Sequence, residues 1–397
     1  MNFSSLVLMN LGRNKRRTIL TMLSVVVALF LFCGLRGVLD TLEASIKVGS
    51  EAKLVTRNAI SLIFPLPLAY REKLAGIAGV KKVAYGNWFG GRDPVDEGNF
   101  YAQFAVSENY LPLYASDIDI VAFDPPQPGA AVPADIDPKL ASFMLEREAC
   151  VVGERLFKRM KWKLGQQIKV SGTIFPGSWT FTIRAVYKPS DPAFGEEALF
   201  FHWKYLSEKG MGGQGQIGWF VLQLTDPNQA GTVSKAVDDL YANSAAATHT
   251  ETERAFQAGF VSMYGNVPFL IGVIGLAVVF AILLVAGNTM MMAARERTAE
   301  MGVMKTLGFE DSTLFALVLI EAAIITLGGG VIGALLAKWV IEGSGFNAGG
   351  LLPPMTVSWG TVATGLAIAV LMGATSGLIP AWQASKLRIV DALRRVD

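Results

Sequence analysis

The chain has 397 residues, of which 52% are hydrophobic and 17% charged, with a formal net charge of +2. It is too apolar for an ordinary soluble protein and too charged to lie wholly in a bilayer, so part membrane and part globular domain is expected. The basic residues gather at three short sites rather than along a stripe, which argues against nucleic acid as a partner.

Residues 1–17 are expected to form a cytoplasmic amphipathic segment. Phe3, Leu6, Val7 and Leu11 fall roughly on one side, either resting on the inner leaflet or fraying from the span that follows. Residues 18–39 are apolar and long enough to cross a hydrocarbon core, which takes about 20 residues at about 1.5 Å each. A basic stretch before an apolar one is also the signal-peptide pattern. Here the uncharged run is longer than a signal core, no A-x-A site follows, and Phe32 before Cys33 does not suit lipoprotein cleavage, so an uncleaved anchor is expected. Arg36, in the last turn of this stretch, reads as a snorkelling side chain, with a substrate role as the sharper alternative.

Residues 40–266 have mixed polarity and enough length to bury their own core. The pattern predicts a helix over 67–78, strands over 80–85, 149–152, 168–171 and 180–187, and a helix over 154–160. Residues 124–138 read as a Pro- and Gly-rich loop or lobe boundary. Residues 248–264 read as a helix running directly into the next span, with Thr250 and Glu253 as its capping box, and residues 41–53 as a similar stalk for the first span. The two cysteines, Cys33 and Cys150, lie in different regions and are not expected to pair. His202 and His249 have no ligand-spaced neighbours, so no structural metal is expected. Trp88, Phe89, Trp179, Trp203 and Trp219 read mainly as core, with an apolar cleft as the functional alternative.

Three further spans follow: residues 267–294, 312–337 and 357–382, with a short outer loop at 338–356 and a tail at 383–397. Arg13, Lys15, Arg16 and Arg17 precede the first span, Arg295, Arg297 and Lys305 sit between the second and third, and Lys386, Arg388, Arg394 and Arg395 follow the fourth. Only Lys338 marks the third-to-fourth connection, so both termini and residues 295–311 are expected in the cytoplasm. Glu321 is the one acidic residue well inside a span, about two and a half turns past Asp311. It reads as a buried carboxylate held by pairing or as a proton or substrate group. Gly272, Gly275, Gly328, Gly329, Gly330, Gly333, Gly365, Gly373 and Gly377 allow close helix approach, either within the chain or at a sliding dimer seam.

The segment between the second and third spans carries Arg295, Glu296, Arg297, Glu300, Met301, Met304, Lys305, Leu307 and Gly308. If residues 298–307 are helical, Met301, Met304 and Leu307 share a face at i, i+3 spacing, with Arg297 and Glu300 towards another. Methionine suits a docking face because it is flexible and polarizable. The plainer alternative is a polar loop with a positive-inside bias.

Three separated pieces carry a family resemblance. The first runs through Asn10, Leu11, Arg13, Asn14, Lys15, Arg16, Thr18, Leu20 and Thr21; the second is the segment from Arg295 to Gly308, including Gly302 and Val303. The third runs through Pro380, Ala384, Ser385, Leu387, Ile389, Ala392, Leu393 and Arg394. Weaker matches lie at Val151–Gly153, Leu164 and Gly165, Ile168 and Val170, and Phe181 to Val186. Together they resemble the MacB/FtsX-type permeases of the ABC transporter family.

That resemblance implies an α-helical four-span membrane permease with an α+β extracytoplasmic domain between the first and second spans, in a bacterial inner membrane. It further implies that the segment from Arg295 to Gly308 is an ATPase-coupling helix and that Glu321 links the third span to it. An ABC ATPase dimer, binding ATP and Mg, would drive two permease copies paired through their first and second spans. A membrane-fusion adaptor and membrane lipid are the other partners it implies. No G-x-x-x-x-G-K-[ST] loop occurs in the sequence, which fits a motor on a separate subunit and no catalytic role or cofactor for this chain. Force would pass to the outer domain, moving a substrate from the outer side of the inner membrane. The alternative is an FtsX-like regulator of a partner such as a cell-wall hydrolase. No Ser/His/Asp set or paired intramembrane carboxylates support an enzyme.

Overall fold

A computed structural model describes residues 9, 13–96, 99–126, 132, 136–190, 195–209, 215–262, 265–345 and 354–387. The chain divides into two compact units: Met1–Thr41, Asn266–Gly345 and Met355–Asp397 form one, and Leu42–Gly265 with Phe346–Pro354 the other. The expected N-terminal apolar face at Phe3, Leu6, Val7 and Leu11 lies outside the described residues. So do most of the loop at 124–138 and the last part of the closing motif, Ile389 to Arg394.

In chain order the helices are α1 Lys15–Val48, α2 Tyr70–Ala75, α3 Tyr110–Leu113, α4 Ala141–Leu145, α5 Glu154–Arg159, α6 Trp203–Lys209, α7 Ala230–Tyr241 and α8 Glu253–Ser262. They continue with α9 Val267–Glu296, α10 Thr298–Thr306, α11 Asp311–Ser344 and α12 Trp359–Ser385. The strands are β1 Lys53–Asn58, β2 Leu66–Pro67, β3 Val80–Trp88, β4 Gly91–Arg92, β5 Ala102–Val106, β6 Ile118–Phe123 and β7 Ala149–Gly153. The rest are β8 Gln167–Gly172, β9 Gly177–Pro189, β10 Ala198–His202, β11 Gln216–Ile217, β12 Trp219–Leu224 and β13 Thr248–Thr252.

Among the described residues, four helices are long and apolar enough to cross a membrane: α1, α9, α11 and α12. Pro268 stands in the first turn of α9, where a missing N–H costs nothing, and Ser358 caps α12 by accepting a 3.0 Å bond from Thr361 N–H. The helical unit packs on its small residues. A Cβ added to Gly333 of α11 would lie 2.5 Å from the Val26 carbonyl oxygen of α1. One added to Gly330 would lie 2.5 Å from Ala369 of α12, and one at Gly377 would lie 2.8 Å from Ala322. These glycines are occupied by close approach inside the chain, as expected where dispersion rather than the hydrophobic effect joins helices. Gly272 on α9 faces open space.

The other unit is built on a mixed sheet in the order β13-β1-β12-β3-β5-β10-β7-β9-β8-β4, with β6 added against β9. Most pairs are antiparallel; β5 with β10 and β7 with β9 are parallel. Side chains alternate between two apolar layers. Phe220 and Leu222 of β12, with Phe181 and Ile183 of β9, enter one core, while Val221 and Ala185 enter the other. Phe89 and Trp179 are fully buried and Trp203 nearly so, as expected of core, whereas Trp88 is 38% exposed.

The helix expected over 67–78 is shorter, because Leu66 and Pro67 pair with Gln216 and Ile217 as β2 and β11. The helix expected over 248–264 is corrected more sharply. Residues Thr248–Thr252 form β13, which pairs with β1 through Thr56 and Thr250, their hydroxyl oxygens 3.0 Å apart. The capping box at Thr250 and Glu253 is therefore displaced: Thr252 Oγ1 accepts the 3.1 Å bond from Ala255 N–H at the start of α8. Alternating Thr and charged residues suited a strand edge as well as a helix start, and pairing to β1 decided it. Nor does this helix run straight on into the next span, since Gly265 has φ +68° before α9 begins. By contrast α1 continues unbroken to Val48.

Candidate coupling site

The short helix α10 begins where Arg297, at φ −101° and ψ 11°, breaks away from α9. Thr298 Oγ1 donates to the Arg295 carbonyl at 2.8 Å, which satisfies one of the last acceptors of α9. At the other end Gly308 has φ +91°; its N–H donates to Lys305 O and that of Phe309 to Met304 O, both at 3.1 Å. That pair of bonds is a Schellman motif, and the left-handed position explains the glycine.

Four basic side chains tie α10 and its flanks to the first, third and fourth long helices. Arg297 Nη1 donates to Glu321 Oε2 of α11 at 2.6 Å, with side chains only 10% and 7% exposed. Lys305 Nζ donates to Ser385 O at 2.7 Å and Leu387 O at 2.9 Å at the end of α12, and pairs with Asp311 Oδ1 at 2.7 Å. A cation at the last carbonyls of a helix meets both unpaired acceptors and the negative end of the dipole. Arg17 Nη1 of α1 pairs with Glu296 Oε2 at 2.6 Å, and Arg13 Nη1 with Glu300 Oε1 at 2.5 Å. Arg295 is exposed on the last turn of α9.

The apolar side of α10 differs from the expected one. Met301 is 2% exposed and packs with Val318 of α11 and Ala381 and Ala384 of α12, and Met304 is partly buried against the same cluster. The methionine pair is the seat of α10 on its own spans, not an outward surface. Outward, Val303 is 47% and Leu307 73% exposed, with Glu300 half-exposed one turn before Val303. Glu300, Val303 and Leu307 follow i, i+3, i+7 spacing and so share one stripe. The periodicity was legible, but which of two apolar stripes turns inward depends on α11 and α12.

From the sequence, Arg13, Arg17 and Asp311 read as topology signals, motif positions or landmarks, not as partners of the coupling segment. Their partners lie far away in sequence, and local spacing carries no sign of the pairing. In the sheet-bearing unit, His202 ends β10. Burial pushes its imidazole below the ordinary range while its Nε2 meets the Phe143 carbonyl oxygen at 2.5 Å. No group of three or more His, Cys, Asp or Glu able to hold a metal occurs among the described residues.

Two family models match. The MacB-like periplasmic core domain covers residues 18–240, and the FtsX-like permease C-terminal covers residues 269–389. The uncharacterized ABC transporter permease MJ1507 of Methanocaldococcus jannaschii is 30% identical over 138 residues, 34% of this chain and 32% of that protein. The macrolide export ATP-binding/permease protein MacB of Nitrobacter winogradskyi is 31% identical over 158 residues, 39% of this chain and 22% of that protein. The chain thus spans between about a fifth and a third of the length of these relatives. Among solved structures, the periplasmic region of MacB from Actinobacillus actinomycetemcomitans aligns with 54% of this chain and 95% of its own, at 11% identity and TM-score 0.38. With the periplasmic-core match spanning more than half of its residues and the FtsX-like match covering its last three long helices, the chain belongs to the MacB/FtsX-type family of ABC transporter permeases.

Proposed function

We propose that the chain is a mechanotransmission permease: it receives force from an ATPase subunit at α10 and passes it to the domain between α1 and α9. ATP and Mg are bound by that partner, docked as a dimer beneath two permease copies. The membrane is the bacterial inner membrane, with α10 and both ends of the chain on the cytoplasmic side. A substrate is moved from the outer side of that membrane, with an adaptor and lipid as further partners. The name of one relative, the macrolide export ATP-binding/permease protein, favours export.

One observation carries the reading. α10 and its flanking residues are fixed to α1, α11 and α12 by Arg13, Arg17, Arg297 and Lys305, yet α10 turns Val303 and Leu307 outward. A helix braced on every span and apolar on its free side suits a force-receiving contact, because load on its outer stripe reaches all its supports. The test is co-purification with the candidate ATPase and measurement of ATP hydrolysis. Val303→Asp with Leu307→Asp should abolish ATPase binding while the permease stays folded; intact binding and coupled hydrolysis would remove α10 as the docking element.

A further inference from the structure

The chain leaves the first span through residues 49–53 and approaches the second through residues 252–254, and within the sheet-bearing unit these two passages meet. β1 and β13 are neighbours, with Leu54 opposite Thr252. Just outside that pair, Glu253 is 8% exposed and uses both carboxylate oxygens: Oε2 accepts the backbone N–H of Ser50 at 3.1 Å, and Oε1 accepts the Tyr114 hydroxyl at 2.7 Å. Gly49 lies so close to the backbone of Arg254 that an added Cβ would sit 2.6 Å from its Cα. On the outside, Arg254 Nη1 pairs with Glu51 Oε1 at 2.7 Å.

Tyr114 is itself held. Lys53, paired with Asp117, lies over its ring at 4.2 Å, and the Tyr110 ring is 5.1 Å away. Burial keeps the Tyr114 hydroxyl well above its ordinary range, so it remains a donor. A buried carboxylate with two charge-assisted bonds is strong only while both donors stay in place, and losing either leaves an under-satisfied charge. The geometry therefore resists separation of the two passages more than it resists their joint movement.

We propose that Glu253 is a positioning residue, the joint that locks the chain's exit from the first span to its approach to the second, so that the end of α1 and the start of α8 move as one body. This rests on the mechanotransmission reading for its purpose, not for its geometry. Without such a joint, force on one span is dissipated by shear between β1 and β13 instead of turning the domain.

The test uses the full chain in nanodiscs with spin labels at Glu43→Cys and Gly259→Cys. Glu43 and Gly259 are exposed, and Cys33 and Cys150 are buried. The unmutated joint should give one narrow distance distribution. Glu253→Ala should raise the population of separated forms by roughly tenfold to hundredfold, the worth of a buried charge-assisted bond. Tyr114→Phe, which removes one hydroxyl from an otherwise intact ring, should do so in part and should add nothing on top of Glu253→Ala. An unchanged narrow distribution in folded Glu253→Ala protein overturns the proposal; if that variant does not fold, an unchanged distribution in Tyr114→Phe overturns it. A second label pair, Ile174→Cys with Leu284→Cys, reports domain movement on adding Mg and ATP to the ATPase complex. If no movement occurs with the joint intact, the mechanotransmission reading fails on its own. If it occurs, the joint requires Glu253→Ala to abolish it while ATP hydrolysis persists, and full movement in that variant overturns the joint.

Discussion

Glu321 and His202 place titratable side chains in nearly dry surroundings, with opposite solutions. Glu321 is answered by Arg297 at 2.6 Å, in a setting where removing one partner of a buried pair is more damaging than never having had the pair. Glu321→Gln should destabilise the purified permease by about 3–5 kcal/mol, read as a lower melting temperature in detergent. In a double-mutant cycle with Arg297→Met, the loss should be strongly non-additive. His202 is kept neutral instead, stacked 4.1 Å from the Phe143 ring and pushed by burial below its ordinary 6.5. Because the folded value is depressed, the unfolded chain binds the proton first. The stabilisation is fully present above pH 6.5 and is lost as pH falls below it. Melting temperature should therefore fall between pH 7 and pH 5.5, roughly the range below the unperturbed histidine value, and His202→Asn should flatten that slope. The carboxyl of Glu108, held below its ordinary 4.5 by Lys204, contributes a separate loss only at lower pH.

For the helices and strands, ends mattered more than middles. The four long apolar helices and the strands β3, β7, β8 and β9 were legible from composition and alternation, because hydrocarbon crossing and a two-residue period leave a direct imprint on sequence. The segment at 248–252 was not, since its strand state depends on β1, nearly the whole domain away in sequence. The end of α10 was legible in Gly308, and its φ of +91° makes that glycine costly to replace. Gly308→Val should cost about 1–2 kcal/mol from the left-handed backbone alone. It should also reduce ATPase co-purification by displacing Leu307; unchanged stability and binding would show that α10 ends without needing the Schellman turn.

At the level of the whole molecule, each unit carries its own apolar core. The domain between α1 and α9 has two layers, one on either face of its sheet, and its first and last long strands pair with each other. Residues 42–265 expressed without the spans should therefore melt cooperatively by circular dichroism. The melting temperature should be indifferent to reducing agent, because the fragment's single cysteine, Cys150, is free and buried and has no partner to bridge. A broad, non-cooperative melt would mean that the domain borrows stability from the spans.

The sequence by itself determined the topology, the positive-inside orientation expected of it, the segment that interrupts the spans and the family resemblance carried by three motifs. Each of these rests on local composition or short spacing, which survives being read along a line. Only the tertiary structure decided which way α10 faces, which charges meet, and where the outer domain closes on itself. Met301 and Met304 turn inward because α11 and α12 supply the apolar surface that buries them, leaving Val303 and Leu307 outside. Arg297 meets Glu321, and Glu253 meets Ser50 and Tyr114, across separations for which the sequence has no period. Pairings of that kind are fixed by packing, and packing is a property of the folded chain.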